Sequence, residues 1–239
     1  MNQPEYGETW VYEGIIGAIP GLNLGLRRAL LVQFLGFQTA VLLLAWVYGL
    51  PTAALAGTVA VVVATVGSAQ MVFIARELRD DRLPDAYRRL VFGSNVATVL
   101  SVFTFVGFVT YLFVFDPAHN ETPLLESLFG TEPPVLAVAV GLLIVWDVCY
   151  RVSASWWAGV TALWRSTRYQ FPAGVQEHLH KTDRLTAAFG LLQLAFVPFL
   201  FDHPVLLVAL VGHVLAVVLV TAGAHLLGSV RTMDSPTRS

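Results

Sequence analysis

The chain has 239 residues, 56% of them hydrophobic and only 13% charged, with a mean hydropathy of +0.68. An ordinary soluble domain is about 25% charged; here the charges sit in short clusters between apolar runs of about 20 residues, the length that crosses a bilayer. A net charge of −2 gives no bias toward nucleic acid, and the single cysteine, Cys149, excludes an intrachain disulfide.

The N-terminus carries Glu5, Glu8 and Glu13 where a signal peptide has a cationic stretch, so it does not read as one. Val11, Ile15, Ala18, Ile19 and Leu22 recur at helical spacing, which predicts an amphipathic interfacial helix within residues 1–28. Six spans follow, at about 29–48, 52–75, 90–115, 135–158, 185–201 and 205–227, with a polar tail over 229–239. Gly49 to Pro51 read as a tight turn. The loop Arg76 to Arg89 has five arginines and four acids, and the loop Asp116 to Pro134 has four acids and no Lys or Arg. Span four extends helically toward Trp164, and the stretch from Arg165 to Arg184 reads as a polar loop. The expected fold is therefore an all-α polytopic bundle.

The basic residues orient it. Every Lys and Arg except Arg151 falls on one side of a six-span arrangement. Cytoplasmic loops are enriched in Lys and Arg, so both termini are expected in the cytoplasm and the protein in the cell membrane. Ala56, Ala60, Ala64 and Ser68 repeat every four residues, with Ala53 and Gly57 as a second row. Such rows let helix backbones approach closely, either within the bundle or against a second copy or a partner membrane protein.

Asp147 and Arg151 are the most informative residues. Four apart, they share a helix face, and Asp147 lies roughly 18 Å into its span at a rise of 1.5 Å per residue. An unpaired charge there costs at least about 2.5–3.5 kcal/mol on insertion scales. The pair is either a transport or catalytic element, or a clamp that fixes helix rotation. Gln38, Gln193, His213, Tyr150 and Ser153 lie at comparable depth and could form a polar layer around it. A His213–Asp147 contact would make a proton relay.

Other groups are weaker candidates. His178, His180 and His225 share one side with Glu177 and Asp183, but no spacing motif supports a metal site. His119 and His203, beside the acidic loops, are expected to be solvated. The tryptophans of span four, Trp146, Trp156, Trp157 and Trp164, fit an interfacial belt or the wall of a lipid, quinone or pigment pocket. No lysine lies within a span, which excludes a retinal Schiff base. Asn120-Glu-Thr122 is a glycosylation sequon. Walker, GxGxxG, nucleophile-elbow, DxxxD and selectivity-filter motifs are absent from the sequence, and so is a convincing internal repeat. No catalytic residue or cofactor is assigned.

Near-exclusive use of arginine (Lys181 is the only lysine), Val/Ala/Leu-rich spans and acidic loops give the chain its character. In these it resembles the small, uncharacterised multi-pass membrane proteins of haloarchaea. The resemblance is compositional and implies no activity. Three functions remain open. The first is a small transporter or channel-like protein using the layer around Asp147 and Arg151. The second is an accessory protein binding a membrane partner. The third is a lipid-active enzyme using Asp147, His213 or the loop histidines.

Overall fold

The computed structural model describes residues 26–79 and 82–233. The expected N-terminal interfacial helix and the last residues of the tail lie outside this range. Seven α-helices of six residues or more organise the described residues, and no strand occurs among them: α1 (Leu26–Tyr48), α2 (Pro51–Leu78), α3 (Val96–Thr110), α4 (Leu124–Phe129), α5 (Val135–Arg168), α6 (Ala173–Leu192) and α7 (Pro204–Met233). The α1–α2 turn follows the sequence reading. Gly49 takes φ +69°, a conformation that favours glycine, and Pro51 opens α2, a position where its missing N–H is harmless.

Among the described residues five helices are long and apolar enough to cross a membrane: Arg28–Tyr48, Pro51–Leu78, Asp85–His119, Val135–Arg168 and Pro204–Val230. The third is not regular. A turn at Asp85–Arg88 and a π segment at Arg89–Gly93 precede α3, and a second π segment, Tyr111–Phe115, follows it. The expected fifth span, 185–201, is not a helix of its own. α6 begins at Ala173, passes into a 3₁₀ segment at Gln193–Phe199, and its first half is polar. Even so, it runs antiparallel to α7 along its whole length, with Gly228 beside Gln176 and Gly190 beside Val217. Its 20 α-helical and seven 3₁₀ residues reach roughly 44 Å at rises of 1.5 and 2.0 Å.

The polar stretch 165–184 is not a loop. α5 continues to Arg168 and only residues 169–172 connect it to α6. Val175, Gln176, Leu179 and Asp183 are buried at helical spacing, so the polarity belongs to a packed helix face.

α5 is the central helix. It packs against α1, α2, α3, α6 and α7, while α3 packs chiefly on α5. The small-residue row of α2 faces into the bundle: Ala60, Ala64 and Ser68 are buried. A Cβ at Gly57 would stand 2.8 Å from Val41 Cγ1 of α1, so those helices meet backbone to side chain. At Gly67 a Cβ would stand 2.8 Å from the Phe189 ring and 2.9 Å from Arg151 Cδ. The Gly67→Ala variant is therefore expected to lose about 1–3 kcal/mol, the usual penalty of overpacking, measured as a lowered unfolding temperature in detergent. Gly36→Ala, with nothing within 4 Å of the added methyl, is the neutral control.

Candidate functional site

α5 carries two different faces. One bears Asp147 and Arg151, both buried. Their pairing is bidentate: Arg151 Nη2 donates to Asp147 Oδ1 at 2.7 Å and Nε to Oδ2 at 3.0 Å. Gln33 of α1 donates to Oδ2 at 3.1 Å, and the Ser68 hydroxyl of α2 lies 3.2 Å from Gln33 Oε1. Arg151 Nη1 also approaches Met71 Sδ at 3.9 Å. The carboxylate is thus occupied on both oxygens and held from two helices. Gln33 was not among the sequence candidates. Its signal, a lone amide one turn inside the first span, was no stronger than that of Gln38.

The expected polar layer does not gather around this pair. Gln38 donates to Thr58 Oγ1 at 2.8 Å, between α1 and α2. Tyr150 belongs to the apolar core at the arginine-bearing end. His213 makes no hydrogen bond to Asp147. It lies instead beside Trp156, with ring centroids 6.0 Å apart.

The other face of α5 borders a cavity of about 920 Å³. α4 contributes Leu124, Leu128 and Phe129 at the acidic-loop end, and α1, α2, α3 and α7 contribute apolar side chains along its length. Among the described residues no Lys, Arg, Asp or Glu lines it. Its polar side chains include Ser153, Trp156, Gln193 and His213. Helix registers bring them together. Gly190 lies against Val217 in the antiparallel pair, so Gln193 comes beside residues 213–214. Gly159 lies against Thr221 in the parallel pair, so Ser153 comes beside residue 215. Among the described residues none of these four side chains has a hydrogen-bond partner, and His213 Nε2 is buried. A buried donor without an acceptor costs about 1–3 kcal/mol.

The acidic-loop end is closed by one carboxylate. Asp116, fully buried, accepts from Tyr111 Oη at 2.9 Å, from His203 Nδ1 at 2.9 Å, from Asn120 Nδ2, and from the backbone N–H of Leu124 that opens α4. This corrects the expectation for His203, which is 2% exposed: the loop folds over it because Asp116 needs its donors. His119 is exposed and stacks on Phe115. The Asn120 amide, the sequon nitrogen, is engaged by Asp116.

The chain belongs to the DUF7530 family, a family of unknown function whose model matches residues 5–224. No curated protein and no solved structure is detectably similar.

The arginine-bearing end is held by a second buried ionic group. Arg165 of α5 donates from Nη2 to both oxygens of Asp183 at 2.8 and 2.7 Å, and from Nη1 to Tyr87 Oη at 2.9 Å. Nearby the loop histidines separate. His178 pairs with Glu77 at the surface, 2.9 Å away, whereas His180 meets His225 with ring centroids 3.9 Å apart and lies 2.7 Å from Gln176 Nε2. Among the described residues no group of three His, Cys, Asp or Glu side chains is arranged to hold a metal ion.

Asp147→Asn and Arg151→Gln are each expected to destabilise by about 3 kcal/mol, since each leaves its buried partner uncompensated. The double variant recovers much of that loss in a thermal-unfolding cycle.

Proposed function

We propose that this protein is an integral membrane protein of six crossings with both termini cytoplasmic, and that it holds an uncharged, membrane-soluble molecule inside its bundle. The six crossings rest on the five apolar helices, on the full-length antiparallel run of 173–199 beside α7, and on the one-sided arginines. The cell membrane is the expected location.

The observation that carries the binding role is the cavity: about 920 Å³, within the usual range for ligand sites, apolar along its length, and ending in polar side chains that the protein itself leaves unpaired. α3 packs chiefly on α5 and lines the cavity with Leu100, Thr104 and Phe108, so it is the wall at which a membrane-soluble molecule would enter.

The geometry favours this over transport through Asp147. Both carboxylate oxygens are taken by Arg151 and Gln33, and His213, the expected relay, borders the cavity instead. The ion pair is then the clamp that sets the rotation of α5.

The test is direct. Protein purified from its own membrane in mild detergent is extracted with organic solvent and examined by native mass spectrometry. One small neutral lipid per chain is expected. Val152→Trp, which fills the cavity from α5, is expected to lower occupancy by at least about tenfold with the unfolding temperature held or raised. A parent protein that carries no stoichiometric molecule, or a Trp variant that keeps it, overturns the reading.

A further inference from the structure

We infer that the molecule held in this cavity is an isoprenoid quinone, bound with its carbonyl ring at the Ser153–Trp156–Gln193–His213 end and its chain along the apolar walls. The inference rests on the binding role proposed above and narrows it to a ligand class.

Charge excludes most lipids first. A phosphate or carboxylate head entering this end would meet no cation among the described residues, because no Lys or Arg of theirs lines the cavity; Arg151 is committed to Asp147 on the other face of α5. Burying such an anion unpaired is prohibitive. The head must be neutral.

The hydrogen-bond inventory then sets its polarity. Trp156 Nε1 can only donate, the Gln193 amide offers two donors and one acceptor oxygen, the Ser153 hydroxyl one donor and one acceptor oxygen, and a neutral His213 one donor and one acceptor nitrogen, so donors outnumber acceptor atoms even if the cluster pairs within itself. The cluster is rich in donors, and none is used within the described residues. Its complement is a head that presents acceptor oxygens and needs few acceptors in return. A quinone ring, with two carbonyls and no N–H or O–H, matches that inventory. A prenol hydroxyl presents a single oxygen that must also donate. The His213 ring lines the cavity, and half a turn about its Cβ–Cγ bond exchanges the positions of nitrogen and carbon, so either nitrogen can face the ligand. Trp156, set beside His213 at 6.0 Å between centroids, supplies an aromatic face for a flat ring.

The remaining space fits a chain. Ala45, Ala53, Gly57 and Ala60 on α1 and α2, with Gly141 on α5, keep the walls low. α4, pinned by the Leu124 N–H to Asp116 contact, closes the far end.

The experiment uses the full chain in nanodiscs of neutral phospholipid. A naphthoquinone carrying a short prenyl chain is titrated in and tryptophan quenching is followed, with the prenol of the same chain length as competitor. Saturable quenching that the prenol does not displace is expected, with Trp156→Phe removing most of the signal. Gln193→Leu and His213→Phe should each weaken quinone binding about tenfold, the worth of one hydrogen bond to a carbonyl. His213→Gln, which keeps a donor, should retain it. Unfolding temperatures near the parent's mark the variants as folded.

If the prenol displaces the quinone with equal affinity, or the Leu and Phe variants bind the quinone as the parent does, the quinone assignment is overturned. The cavity reading survives in that case provided Val152→Trp still abolishes binding of both. If neither probe binds and the protein as purified carries no lipid, the cavity reading falls as well.

Discussion

Burying Asp147 and Arg151 within an apolar helix constrains the whole bundle. In hydrocarbon or protein interior an isolated charge is intolerable, so the two must pair and must face inward. Spacing of four residues permits the pairing on one helix. Inward orientation then sets the rotation of α5 about its own axis. Gln33 and Ser68 complete the group from α1 and α2, and Gly67 makes room for the Arg151 stem. Replacing that glycine or either charge disturbs the same contact between α2 and α5.

With that face fixed, the opposite face of α5 has no freedom either. Val148, Val152, Ser153 and Trp156 point to the space bounded by α3, α7 and the 3₁₀ segment, and the side chains do not fill it. Protein interiors are normally close-packed, and buried polar groups are normally bonded. Here a partly enclosed space and the buried, unbonded His213 Nε2 coincide. Departures of that kind concentrate where a structure is shaped for something other than its own stability, which is why the cavity and not the ion pair carries the functional proposal.

The two ends of the bundle are held by analogous devices. Asp116 collects four donors from the π segment, the acidic loop, the start of α4 and the turn before α7. Arg165 collects Asp183 and Tyr87 from α6 and the turn before α3. In each, one fully buried charge satisfies groups from segments distant in sequence. Removing that charge strands several partners at once, so these ends bind the loops to the helices and close the cavity at its acidic-loop end.

Much of this architecture was legible in the residues. Apolar length marked the five helices, Gly49 and Pro51 marked their first turn, and the i, i+4 spacing of Asp147 and Arg151 identified a pair; each is a local property of the chain. The stretch 165–184 reads as a loop because polarity alone does not distinguish a loop from a helix whose polar face is buried against Arg165. The burial of His203 is not legible in the sequence because its acceptor, Asp116, is 87 residues away. The sequence alone determined which side chains are too polar to face lipid, because that follows from composition and helical period. Only the tertiary structure decided which of them meet: Gln33 with Asp147, Gln38 with Thr58, and Gln193 with the cavity that His213 also lines. Depth along a helix is set by counting residues, whereas direction around it is set by the packing of every neighbour at once.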